Sequence, residues 1–181
     1  MKTSILLLPF LAFAGNTTDQ TPTRELANPP ALVFRARPTK HLFARGEDVV
    51  FSVSIRNQSA GPIFVSRLLH EEFVDFNVSG PDGKEVPWQG KRRIDSKRYS
   101  PSDFTVLKGG EQIRARRTIS LKNGQGYVFH SPGQYSVTAE YSLGPPEYFA
   151  PFAGDARVPV GTFGSVKATF CIEICGPESQ K

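Results

Sequence analysis

The feature that most constrains this chain is a series of short segments in which apolar and polar residues alternate. A period of two suits a half-buried strand and cannot be kept on one face of a helix. Asp48 to Arg56 (DVVFSVSIR) places Val49, Phe51, Val53 and Ile55 on one parity and Asp48, Ser52, Ser54 and Arg56 on the other. Gln134 to Ser142 repeats the device, with Tyr135, Val137, Ala139 and Tyr141 facing inward. Ser165 to Ile174 is expected to do the same with Val166, Ala168, Phe170, Ile172 and Ile174. Weaker strands are predicted at Leu32 to Ala36, Ile63 to Val65, Phe73 to Val78, Lys84 to Trp88, Phe104 to Leu107 and Gln112 to Leu121.

Turn-forming residues separate these runs: Arg45-Gly46, Ala60-Gly61-Pro62, Pro81-Asp82-Gly83, Gly109-Gly110, Asn123-Gly124 and Ser131-Pro132-Gly133. Pro81-Asp82-Gly83, between FNVS and KEVPW, is the clearest hairpin signal. No stretch carries a convincing helical period. The expected fold is all-β, a single immunoglobulin-like antiparallel sandwich over residues 31–175, with 14 Phe to fill its core. One position conflicts with the pattern: Arg117 shares the apolar parity of Ile113, Ala115, Ile119 and Leu121. A β-bulge, or a strand that starts only at Thr118, would turn its guanidinium outward; the alternative is a buried Arg paired with a carboxylate.

The N-terminus reads as an export signal over residues 1–14. Lys2 supplies the positive end, Ile5 to Phe13 the apolar stretch and Ala12-Phe13-Ala14 the cleavage site. Cleavage would leave Gly15 first, and an apolar run broken by Pro9 falls short of the roughly 20 residues needed to span a bilayer. Residues 15–30 are polar and aperiodic and read as a flexible leader, and residues 176–181 as a tail. The expected location is therefore secreted or periplasmic, with no integral membrane segment in the mature chain. Removing the signal takes the net charge from +5 to +4, since Lys2 is lost with it, which is too mild for a dedicated nucleic-acid binder. Asn16, Asn57 and Asn77 each begin a glycosylation sequon, meaningful in a host that glycosylates its exported proteins.

From about Leu32 to Leu143 the chain resembles the immunoglobulin-like domain that precedes the catalytic domain of some aspzincin (deuterolysin-type, peptidyl-lysine) metalloendopeptidases. The likeness lies in GEDVVFSVSIRNQS at 46–59, GPDGKEVPWQGKRR at 80–93, YSPSDFTVLKGGEQIRARRTISL at 99–121 and SPGQYSV at 131–137. It implies a sandwich fold and an association with secreted proteolysis. The peptidases themselves bind zinc through a helical H-E-x-x-H, in which two His share one face and the Glu activates water. Here the corresponding run is His70-Glu71-Glu72-Phe73-Val74, so no catalytic or metal residue carries over. The strand pattern runs to Cys175, six residues before the last, and is expected to leave no room for a catalytic domain.

Other chemical signals are sparse. His41, His70 and His130 are isolated from one another, and no G-x-S-x-G occurs, so neither metal, cofactor nor enzymatic activity is expected. Cys171 and Cys175 would lie about 13 Å apart in a continuous strand, whereas a disulfide spans at most about 7 Å. A disulfide therefore requires the chain to bend between them; export favours that pairing over free thiols, an intermolecular bridge or half of a metal site. Lys91, Arg92, Arg93, Lys97 and Arg98 form a basic run that is either a solvated loop or an electrostatic patch, without the aromatics that nucleic-acid strands stack on. Gly144 to Gly164 joins two strands through an unusually long segment carrying Tyr148, Phe149, Phe152 and Phe163. Those aromatics either plug one end of the sandwich or meet a partner. The reading is an exported, non-catalytic binding module whose partner is another protein, with a peptidase one candidate and a structural or envelope role the alternative.

Overall fold

The computed structural model describes residues 31–67, 69, 72–90 and 99–173. The expected export signal and leader over residues 1–30, together with His70, the basic run 91–98, Ile174, Cys175 and the expected tail, lie outside the described residues.

Period-two patterning becomes antiparallel sheet as expected. In the first sheet β3 (Val50–Asn57) lies between β1 (Leu32–Pro38) and β8 (Gln112–Thr118), antiparallel to both. The second is built on β10 (Gly133–Tyr141), which pairs along one edge with β5 (Val74–Ser79). Its other edge pairs with β12 (Ala168–Ile172) at one end and with β11 (Phe163–Gly164) at the other. A two-residue β2 (Leu42–Phe43) adds to β12 in parallel. Two small ladders complete the fold: β4 (Ile63–Ser66) with β7 (Phe104–Leu107), and β6 (Trp88–Gln89) with β9 (Gly126–Tyr127).

The inward parities of both large sheets enter one core. Val49, Phe51, Val53 and Ile55 are each fully buried, as are Ala139 and Tyr141. Phe51 of the first sheet meets Phe76 and Phe170 of the second edge-on, with centroids 5.4 and 6.0 Å apart. Phe34 and Tyr141 also meet between the sheets, 6.0 Å apart with their rings tilted by 32°. Edge-to-face geometry sets the positive ring edge against the negative face, adding roughly 0.5–1.5 kcal/mol per pair to area burial.

Turn chemistry accounts for the connections. Asn123 and Gly124 both take positive φ, 52° and 78°, and the Lys122–Gln125 hydrogen bonds close the two-residue turn that Asn-Gly favours between twisted strands. Gly126, with φ 132°, lies so close to the Ser120 carbonyl that a Cβ would approach it to 2.5 Å. Gly83 completes the Pro81-Asp82 turn, and Val86 N–H still reaches the Val78 carbonyl at 2.8 Å.

Three expectations are corrected. The returning arm Lys84 to Trp88 is not one strand on β5: after a single bridge at Glu85 and the Val86 hydrogen bond the chain leaves β5, and Trp88 pairs instead with Tyr127 as the start of β6. Ser165 to Ile174 is not one continuous strand either. Residues 165–167 interrupt it between β11 and β12, and Val166, expected inward, is 85% exposed. The third concerns Arg117, where no bulge shifts parity. β8 runs in regular register with Arg117 opposite Phe51, and its Nε donates to the Leu69 carbonyl at 2.6 Å. Leu69 is fully buried with φ 48°, so this loop residue brings a carbonyl to the edge of the core where an inward-facing guanidinium can use it.

Candidate functional site

The long segment after β10 is more ordered than a bare loop. A 3₁₀ turn at Pro146–Tyr148 leads into a single α-helical turn, α1 (Ala150–Ala153), with proline in the first turn of each, where a missing N–H leaves no bond unmade. Beneath them is an aromatic nest. Phe104 stacks on Phe64 at 4.9 Å, and Phe73, Tyr99 and Phe149 surround it at 5.4 to 6.0 Å.

The four aromatics of this segment therefore divide. Phe149 is only 4% exposed and touches Phe73, Tyr99 and Phe104, so it belongs to the core and is unavailable to a partner. Phe163 is half-buried in β11, held opposite Tyr141. Tyr148 is 68% exposed, and Phe152 is 36% exposed while resting one face near Phe104 at 6.3 Å. Phe149 sits between the two in sequence and anchors the turns that present them. An apolar ring at position 149 was legible in the sequence; its direction was not, because one helical turn reverses the period that separates plug from surface.

Tyr99 closes the nest against solvent. Its hydroxyl donates to Glu72 Oε2 at 2.7 Å, and its pKa is pushed up to about 12, first by burial and then by the neighbouring carboxylate. Burial also raises Tyr141, whose hydroxyl oxygen accepts the Ser66 N–H at 3.0 Å. These groups hold structure and supply no acid or base near neutral pH.

Among the described residues Asn57, fully buried at the end of β3, is bonded at both polar side-chain atoms. Its Nδ2 donates to the carbonyls of Gly61 and Leu107 at 2.7 and 2.8 Å, and its Oδ1 accepts from the Ser59 N–H and Oγ at 2.8 and 2.7 Å. This corrects the sequon reading: the amide of Asn57 is committed to the fold and unavailable for a glycan. Sequence reasoning missed the role, although Asn57 continues the buried parity of Val49 to Ile55. Asn77, by contrast, is exposed on β5, and Asn16 lies outside the described residues.

A depression of 610 Å³ lies beside the Pro81–Gly83 turn, lined among others by Asp82, Glu85, His130 and Tyr135. Tyr135 donates to the Ser131 carbonyl at 2.7 Å. Among the described residues no group of three or more His, Cys, Asp or Glu side chains converges. His41 is exposed, and its carbonyl accepts the Cys171 N–H at 2.7 Å. Cys171 is buried at the end of β12 and disulfide-bonded, and Glu173 turns the chain with φ 64° two residues later. No described helix is long and apolar enough to cross a membrane.

No family model and no curated protein sequence matches the chain. Among solved structures it aligns with the Pseudomonas fluorescens alkylpurine DNA glycosylase AlkC, bound to DNA containing an abasic-site analogue, at 12% identity and TM-score 0.39. That alignment covers 80% of this chain and 31% of the glycosylase, so the chain spans about a third of that protein. It also aligns with AvmM, which catalyses macrocyclisation in alchivemycin A biosynthesis, at 12% identity and TM-score 0.35, covering 83% of this chain and 93% of AvmM. Similarity at this level carries no inference about fold or activity, and the chemistry must be read from the chain's own surfaces.

Proposed function

We propose that the chain is an exported, non-catalytic binding module with an immunoglobulin-like sandwich fold, and that it engages another protein through the turns bearing Tyr148 and Phe152. The observation that carries the reading is an exposed aromatic pair on a backbone pinned by the buried Phe149. Rigid, amphipathic rings presented at little entropic cost are what protein interfaces use as anchors.

The sandwich topology is supported by the pairing order. β1, β3 and β8 form one sheet, β5, β10 and β12 the other, and β2 crosses to run parallel with β12. In immunoglobulin-like domains a tyrosine near the start of the sixth strand bonds back to the backbone just upstream, and the Tyr135 hydroxyl on the Ser131 carbonyl matches that arrangement. The likeness of 32–143 to a peptidase-associated domain makes a secreted peptidase the first partner to test; a structural place in the cell envelope is the alternative.

The test immobilises the mature protein and a Tyr148→Ala/Phe152→Ala variant side by side and measures capture from the native exported fraction. Loss of the captured protein with an unchanged melting temperature is expected. Equal capture by both proteins removes the surface assignment. One zinc per chain together with chelator-sensitive casein cleavage removes the non-catalytic reading, and recovery of Met1 from exported material removes the cleaved signal.

A further inference from the structure

The outward face of the first sheet carries a pattern of charge that is separate from the aromatic end. Opposite each other across β3, the register aligns Arg37, Ser52 and Arg116 in one rung and Arg35, Ser54 and Arg114 in the next on the same face. The rung beyond holds Val33, Arg56 and Gln112. All five arginines are exposed, and none makes an ion pair with a described residue. Among the described residues, the outward positions of β1, β3 and β8 carry no carboxylate and no aromatic ring, and the side chains of Ser52 and Ser54 make no hydrogen bond.

Strand spacing turns this register into dimensions. Neighbouring strands lie about 4.8 Å apart and same-face residues about 6.7 Å apart along a strand, so the two arginine rows run parallel some 10 Å from each other over a floor of serine hydroxyls. Four like charges this close raise the free energy of the folded chain unless an anion meets them. Arginine rather than lysine at all five positions offers planar forks that bind two oxygens of one sulfate or carboxylate. A trough with cationic walls and a hydroxyl floor fits a linear chain bearing regularly spaced anions and sugar hydroxyls. Without aromatic rings it lacks the platforms on which single-stranded bases stack.

We propose that this face is a binding site for an anionic polysaccharide, lying along the strands between the Arg35/Arg37 and Arg114/Arg116 rows. Export of the mature chain, as the N-terminal signal implies, would bring it to the cell-surface and matrix polymers that carry such groups. The site is independent of the aromatic surface, and a protein partner at Tyr148 and Phe152 can be right or wrong without affecting it.

The experiment measures affinity for a size-defined sulfated oligosaccharide and for polygalacturonate across a salt series, using the full mature chain. Arg35→Gln/Arg37→Gln/Arg114→Gln/Arg116→Gln should weaken binding at least thirty-fold and lower the slope of log affinity against log salt by about 3, at roughly 0.7–0.9 per neutralised contact as for other polyanions. A control with Lys91→Gln/Arg92→Gln/Arg93→Gln should change affinity less than three-fold. If the fourfold variant does not fold, the Arg37→Lys/Arg116→Lys variant keeps the charge and removes the fork, and should still weaken binding about five-fold. Equal binding by wild type and sheet-face variants overturns the proposal. So does tighter binding to single-stranded or duplex DNA of equal charge, or to phosphatidylglycerol vesicles, than to either polysaccharide.

Discussion

Replacing Asn57 by Asp tests whether the buried amide, and not only the apolar core, decides stability. The change is isosteric, so packing around the side chain is kept. What is lost is the Nδ2 donor to the Gly61 and Leu107 carbonyls, 2.7 and 2.8 Å away. An ionised carboxylate would set oxygen against oxygen at those distances in a site without solvent. The Gly61 carbonyl keeps the Ser59 hydroxyl at 3.0 Å, so two lost hydrogen bonds and a desolvated charge facing both carbonyls together should cost about 3–5 kcal/mol, a large share of the 5–15 kcal/mol typical of a domain.

The cost should depend on pH, and its sign is fixed. Burial and facing carbonyls raise the folded-state pKa of the new carboxyl above its unfolded value of about 3.9. The folded state then binds more protons in that window, so stability falls as pH rises through it. The deficit is full above the folded pKa, shrinks as pH falls from there to about 4, and is least below that, where a protonated carboxyl can donate one bond again. Urea unfolding of wild type and Asn57→Asp at pH 7 and pH 4 reads both quantities. A loss below about 1 kcal/mol that is equal at the two pH values would refute the reasoning.

Three further outcomes follow from the packing. Phe149→Ala should lower stability by about 3–5 kcal/mol through a cavity in the aromatic nest, visible as a melting temperature lower by roughly 10–20 °C, whereas Tyr148→Ala should leave it almost unchanged; equal shifts would mean Phe149 is not the anchor. Stability should fall between about pH 10, where unfolded tyrosine ionises, and the value near 12 at which burial holds Tyr99. A urea midpoint that stays flat from pH 9 to 11.5, or a Tyr99→Phe variant that keeps the same alkaline loss, would contradict this. Gly126→Ala should cost at least about 2 kcal/mol, from positive φ and the clash with the Ser120 carbonyl together, and circular dichroism melts that match wild type would show that the β6–β9 ladder yields.

The strands legible beforehand are those whose partners cover one face only. Val49 to Ile55 and Tyr135 to Tyr141 alternate because one side meets the core and the other water, so period two is written into the residues themselves. The Asn123-Gly124 turn was equally local, since positive φ at both positions is a property of those two residues. Elsewhere the deciding contact lay far along the chain. Val166 has the composition of a strand and stands exposed because β10 pairs with β11 and β12 on either side of it. Arg117 faces inward because the Leu69 carbonyl, 48 residues away, is there to receive it. Asn57 reads as a surface sequon until Leu107 is brought beside it. The two arginine rows are alternating residues on strands that only the shared neighbour β3 makes into one face. Alternation needs no knowledge of the partner, whereas burial of a polar group and the meeting of charges depend on which strands become neighbours, and that is settled by the packing of the whole chain.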